Sequence, residues 1–401
     1  MNSLLKHKLA FELTAFLASL GFIVIALFFI FSRLEKDQSE KQIITLHVNN
    51  PSPDRGLVPN YTNGLSSEMM LMSSLSRKDQ LTLFGSSEFS SNTNSSYIYL
   101  PEKLGIPAMG FGHAFHQNFS IYCELLAGKE YLKDSKIVIF LSPGWFETEG
   151  TNSEAFLEFV PPHFLEKIWM DESISTDYKL EIGRFIARNA EKFSNLTLRM
   201  QAFKTLYESE CEFNQAAKLR TKLDKNYPVF NKGNKIKYSV EGGAKIQHRT
   251  FPNFRKLQTE AQTIFLNASA NNTLYVDSLY FNEFVLQPNG AIKTGSVKPI
   301  DKENSAEYKD FLLLLKLLKD KEVNCSFVIQ GLNPYYYTNL EEINPIVRSI
   351  VNELKKSEFP YLNMFTYRKA DYQPGSLNDI MHLGDLGWLQ VNEFIYNTYL
   401  R

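Results

Sequence analysis

Gly85-Ser86-Ser87-Glu88-Phe89 follows the apolar run Leu81-Thr82-Leu83-Phe84 and precedes a Ser/Asn-rich segment, Ser90 to Ser96. A short apolar run bounded by small residues reads as a buried strand that ends in a sharp turn. Such a turn lifts a serine hydroxyl off the end of a sheet, where a nucleophile is useful. A serine is a weak nucleophile unless a histidine takes its proton and an acid orients that histidine. Neither lies nearby in sequence. Both occur at the far end, where Asp379-Ile380-Met381-His382 precedes Leu383-Gly384-Asp385-Leu386-Gly387-Trp388. Their three-residue spacing brings Asp379 and His382 within reach on one helical turn or in a tight loop. A Gly-Ser-Ser turn alone is most often just a turn. Paired with the terminal Asp-x-x-His, it reads as a serine relay split across the chain.

Outward from this turn, apolar runs predict further strands at 106–109 and 136–141, with a helical stretch at 113–126 between them. Strand, helix, strand at this spacing implies a parallel sheet. A Ser- and Met-rich helix is expected at 65–75, after a turn-rich connection through Pro51, Pro53 and Gly56. From 153 to 231 the pattern becomes helical, and from 231 to 300 it is polar and uninformative. Alternation resumes with a helix at 308–318, a strand at 325–329, a helix at 343–355, a strand at 361–365 and a last helix at 388–399. The whole reads as a doubly wound α/β domain with a helical insertion, its ligands at the carboxyl ends of the strands. The expected organisation is a membrane anchor over 1–40, two parts of the α/β domain over 41–150 and 301–401, and a largely helical insertion over 151–300.

With 401 residues, 44% of them hydrophobic and 13% aromatic, the chain can bury a full core. A formal net charge of -1 and the lack of a basic stripe argue against nucleic acid as a partner. Residues 13–31 are apolar except for Thr14, Ser19 and Gly21, which is enough at ~1.5 Å per residue to cross a bilayer core of about 30 Å. No small-x-small cleavage site follows, so this reads as an uncleaved, single-pass anchor. The flanking charges, Lys6 and Lys8 against Arg33, Lys36 and Lys41, leave its orientation open. The three cysteines, Cys123, Cys211 and Cys325, have neither zinc-ligand nor disulfide spacing.

Three more segments close strands where a site would be built: Met109-Gly110-Phe111-Gly112-His113, Ser142-Pro143-Gly144-Trp145-Phe146 and Gly331-Leu332-Asn333-Pro334-Tyr335-Tyr336-Tyr337. Glycines at a helix start free backbone N–H groups for a developing oxyanion. His113 and His116 lack a third ligand nearby and read as helix-face residues, not a metal pair.

The order of parts, nucleophile turn first and Asp-x-x-His last, resembles the SGNH (GDSL-like) hydrolase fold. Within it the chain looks like the DltD family, membrane-anchored proteins of the teichoic acid D-alanylation pathway. The residues carrying the likeness are Gly85 to Phe89, Ser142 to Phe146, Ala306-Glu307-Tyr308-Lys309-Asp310, Phe327-Val328-Ile329 with Asn333 and the Tyr run, and Asp379-x-x-His382-Leu383-Gly384-x-x-Gly387-Trp388. The resemblance implies Ser87 as nucleophile with Ser86 in reserve, His382 as base and Asp379 as its orienter. Gly110 falls at the superfamily's oxyanion glycine, Gly144 and Trp145 replace its usual asparagine, and Asn333 joins them as a substrate-side candidate. It further implies an extracytoplasmic domain, a membrane-bound O-acyltransferase partner, indirect supply from a D-alanyl carrier protein, and teichoic acid or a related envelope polymer as acceptor. Neither a metal nor an organic cofactor is implied. The rivals are an esterase or thioesterase, an O-acyltransferase for another acyl group, and a non-catalytic assembly subunit.

Overall fold

The computed structural model describes residues 43–48, 55–61, 65–90, 94–146, 150–193, 195–209, 213–223, 235–240 and 252–400. The apolar stretch 13–31 lies outside them, and among the described residues no helix is long and apolar enough to cross a membrane. The chain divides into two compact units, Met1–Leu46 with Val229–Lys237, and His47–Pro228 with Tyr238–Arg401.

The described strands are β1 (Ile43–Val48), β2 (Arg55–Val58), β3 (Leu81–Phe84), β4 (Ala108–Phe111), β5 (Lys136–Leu141), β6 (Lys235–Val240), β7 (Asn324–Ile329) and β8 (Tyr361–Asn363). β1 and β6 pair with each other, while the rest form a six-stranded sheet in the order β2-β4-β3-β5-β7-β8. Every neighbouring pair in that sheet is parallel. Parallel strands are joined by crossovers that cover both faces, so their residues must be apolar throughout. Accordingly β3 and β4 are buried at every position, and β5 and β7 at all but the first. Burying a Leu, Ile or Phe side chain contributes about 1.5–3 kcal/mol, enough to offset the ~1–2 kcal/mol lost on ordering its backbone.

β3 has β4 on one side and β5 on the other. The β3-to-β4 and β4-to-β5 connections therefore leave in opposite directions, and the carboxyl end of β3 is the topological switch point where ligands bind in open α/β sheets. Gly85, Ser86 and Ser87 sit there.

Several elements depart from the sequence reading. β4 starts at Ala108, two residues later than expected, because the chain leaves the helical turn Leu100–Leu104 through Gly105 at φ 67° and then meets Pro107, which has no ladder donor. The next helix is Asn118–Ala127. Ala114 and Phe115 form a turn instead, with Phe115 at φ 70°, so His113 and His116 precede the helix and are not helix-face residues. β2 occupies the end of a stretch read as turn chemistry, and the helix Phe254–Ala268 lies in a region read as featureless. The helical periodicity after 153 is realised in Ser153–Phe159, Pro162–Met170, Thr176–Arg188, Leu196–Glu208 and Phe213–Leu223.

Candidate active site

The turn after β3 is held from several sides. The Gly85 N–H donates to Phe111 O at 3.2 Å, and a Cβ on Gly85 would overlap the Glu88 carboxylate and crowd the Phe89 ring. Glycine is therefore required by close approach. The Ser86 N–H donates to Glu88 Oε1 at 2.6 Å, and Ser86 is 2% exposed. Ser87 opens the short 3-10 turn Ser87–Ser90 and is partly exposed. Among the described residues no hydrogen bond is made by its N–H or its hydroxyl.

Asp379 and His382 lie in a tight loop, not a helical turn. Leu377 and Leu383 pair as an isolated antiparallel bridge, and the Asn378 N–H donates to His382 O at 2.8 Å. Asp379 Oδ1 accepts the N–H groups of Met381 and His382, both at 2.8 Å. The other oxygen, Oδ2, is 2.7 Å from His382 Nδ1. Burial would raise the Asp379 carboxyl, but the hydrogen bond and charge of His382 and the two backbone N–H groups win, leaving it below its ordinary value. An ionised carboxylate only accepts, so Nδ1 carries the proton and Nε2 is left as a base. The Asp379 hydrogen bond raises the His382 pKa; burial opposes this, and the charges of Asp379 and Glu88 reinforce it.

The loop is carried by a buried scaffold. Asn333 is fully buried; its N–H donates to Ile380 O at 3.0 Å, Nδ2 donates to Leu274 O at 2.9 Å, and Oδ1 accepts Tyr335 N–H at 2.8 Å. Its side-chain amide is spent on Leu274 and its own turn, while its backbone N–H holds the Asp379–His382 loop from behind. Gly387 does similar work from the other side, since a Cβ there would overlap Ser376 O. Alanine is favoured over glycine in helices by about 1 kcal/mol, but a backbone carbonyl cannot step aside, and overpacking costs about 1–3 kcal/mol. Gly387→Ala should therefore lower the melting temperature; a rise would show that the segment yields freely.

Aromatic stacking brings the two ends of the chain together. Trp388, in the helix Asp385–Tyr399, is fully buried and stacks on Phe89 at 6.3 Å and against Phe140 at 5.5 Å. Asn94 Nδ2 donates to Asp385 Oδ1 at 2.8 Å, and Asn392 Nδ2 donates to Asn94 O at 2.8 Å. Burial raises the Glu88 carboxyl, against hydrogen bonds from Ser86, its own N–H and Gln330, and the charge of His382. The packing of Trp388 on Phe89 brings the segment that follows the Asp-x-x-His loop against the serine turn. Ser87 and His382 share no hydrogen bond, and catalytic hydrogen bonds are often long before substrate arrives.

A cavity of about 650 Å³ opens over the switch point, lined by Ser86, Ser87, Gln117, Gly144, Trp145 and Glu154 among others. This is the size range of small-ligand sites. One wall belongs to the helical insertion, where Asn152 caps Ser153–Phe159 and its N–H donates to Gln117 Oε1 at 3.0 Å. Gly144 is exposed there, and among the described residues its N–H makes no hydrogen bond. Gly110 is elsewhere: it lies within β4 between β2 and β3, its backbone in the ladder, with Leu57 and Tyr97 each 3.1 Å from where a Cβ would be. It cannot turn its N–H to the cavity. Among the described residues no cluster of side chains is fit to hold a metal ion. Sequence reasoning missed Glu88 as the acceptor that holds the Ser86 N–H, and missed Gln117, Asn152 and Glu154 in the cavity lining, which carry no motif. Glu88 alone had a signal, as an acid beside the candidate serines.

The model of the DltD protein family matches residues 59–400. Protein DltD of Bacillus subtilis (strain 168) is 21% identical over 336 residues, covering 80% of this chain and 82% of that protein. The family match runs from just after β2 to the end of the last helix, taking in both the serine turn and the Asp-x-x-His loop, and the chain belongs to the DltD family.

Proposed function

We propose that the protein is a membrane-anchored, extracytoplasmic serine acyltransferase of the D-alanylation pathway. It would transfer D-alanyl groups to teichoic acid or a related envelope polymer through an acyl-serine. The observation that carries this reading is the Asp379–His382 pair, with Nε2 as the free ring nitrogen, in a segment whose Trp388 packs on Phe89 of the serine turn at the switch point. The order of these parts along the chain is that of SGNH hydrolases.

In the proposed cycle His382 Nε2 takes the Ser87 hydroxyl proton as Oγ attacks the D-alanyl ester or thioester carbonyl. The oxyanion is received by the N–H groups of Ser87 and Gly144, two donors of the cavity lining that have no partner among the described residues. His382 then protonates the leaving group, and the acyl-serine forms. A polymer hydroxyl, deprotonated by His382, attacks it and regenerates Ser87. Transfer over hydrolysis would require the acceptor polymer, filling the cavity beside Trp145, to keep water from the acyl-serine. The relay needs neither metal nor organic cofactor. The donor would arrive through a membrane-bound O-acyltransferase, fed in turn by a D-alanyl carrier protein.

Envelope analysis tests the acyl identity. A strain lacking the gene should lose D-alanyl esters from its teichoic acid and regain them on complementation. Unchanged D-alanyl content with loss of another ester, such as acetyl, would overturn the assignment.

A further inference from the structure

We propose that His116 is a positioning residue of the serine relay, fixing the peptide unit just before Ser86 and Ser87, with Glu124 holding the far side of its ring. This deepens the proposed role of Ser87 and rests on it. The His116 ring is completely buried and lies on the Phe159 ring at 4.3 Å and 21°. Its Nδ1 is 3.0 Å from Gly85 O, and its Nε2 is 2.8 Å from Glu124 Oε2. Glu124 is also completely buried.

The chemistry of these atoms decides the tautomer. A carbonyl oxygen only accepts, so the Gly85 contact requires a proton on Nδ1. The Glu124 contact then needs a second proton between Nε2 and Oε2. A ring carrying its proton only on Nε2 would turn a lone pair toward Gly85 O, setting two acceptors face to face. Nδ1 therefore keeps its proton, and the ring remains a donor to Gly85.

The consequence falls on the serine turn. The Gly85–Ser86 peptide unit is gripped at both ends, its carbonyl by His116 and its N–H by Glu88 at 2.6 Å. Rotating that plane would swing the Ser87 Oγ that follows it. The fold makes room for the grip, because Gly112 has φ 121° and any Cβ there would overlap both Gly85 O and His116 Nδ1. His116 takes no part in proton transfer to the substrate. Its effect passes through the turn alone, and a misplacement of about 1 Å at a nucleophile is worth roughly 10²-fold in rate.

The test uses the full-length protein and a fluorophosphonate probe, measuring the maximal inactivation rate and the half-saturating concentration separately. His116→Phe should lower the maximal rate by about 10²-fold with half-saturation unchanged. His116→Asn, whose Nδ2 replaces the lost donor, should recover to within about tenfold of wild type. Thermal melts establish the folded fraction for each. A rate for folded His116→Phe within twofold of wild type, or His116→Asn as slow as His116→Phe, would overturn the inference. If His116→Phe does not fold, a rate within twofold of wild type in folded His116→Leu, which also lacks a donor, overturns it. Failure of the wild type to react would instead sink the Ser87 reading itself, and this role with it.

Discussion

Ser87→Ala should lower acyl transfer by on the order of 10⁶, and His382→Ala should cost nearly as much. The double substitution should be little worse than either. The reason is that His382 acts on substrate only through the Ser87 proton, so once either is gone the other has nothing to do. What remains comes from the cavity and its oxyanion donors, which hold substrate without a nucleophile. The bland alternative gives Asp379 and His382 a purely structural role in closing the Leu377–Leu383 bridge before the last helix. In that case variants would lose folded protein while activity per folded molecule stayed constant. Transfer rates must therefore be normalised to folded protein in the membrane. Wild-type rates in both single variants would leave only an assembly role for the chain.

Asp379→Asn should cost on the order of 10⁴, and the geometry gives the reason. Asp379 Oδ1 already accepts two backbone N–H groups at 2.8 Å. An asparagine must keep its oxygen there, which puts its NH₂ group where Oδ2 met His382 Nδ1. That nitrogen can then only accept, so the ring proton moves to Nε2, which can no longer take the serine proton. The pH profile should report the same change. In the wild type the Asp379 hydrogen bond raises the His382 pKa. A base works when deprotonated, so activity should rise with pH through a midpoint above the ordinary histidine value of about 6.5. In Asp379→Asn the residual activity should rise at lower pH. An unshifted acid limb would show that Asp379 does not act on the ring.

What the sequence disclosed follows the range of the interactions involved. β3, β5 and β7 were legible because a buried parallel strand needs apolar residues at successive positions. Asp379 and His382 were legible because their contact is local, three residues apart with a fixed hydrogen-bond geometry. β2 was not, because its strand character comes from pairing with β4 more than fifty residues later, while its own sequence runs on from a turn-rich stretch. The helix Phe254–Ala268 was hidden because only Phe254 and Phe265 are buried in it, leaving a weak apolar stripe in a polar region. Gly110 was misread by two residues of register: Pro107 delays β4, which carries that glycine into the ladder. The contacts Asn333 makes with Leu274 and with Ile380 of the Asp-x-x-His loop were not legible, since a strand-end asparagine looks the same in sequence whether it faces a ligand or a loop. The cavity wall from the insertion depends on pairs such as Gln117 with Asn152, which leave no local pattern.

The most direct measurement is the site of covalent modification by a fluorophosphonate, read by peptide mass spectrometry on the full-length protein. The adduct should sit on Ser87, persist in Ser86→Ala and vanish in Ser87→Ala. An adduct on Ser86 that survives Ser87→Ala, or acyl transfer that survives Ser87→Ala with no adduct on either serine, would contradict the account.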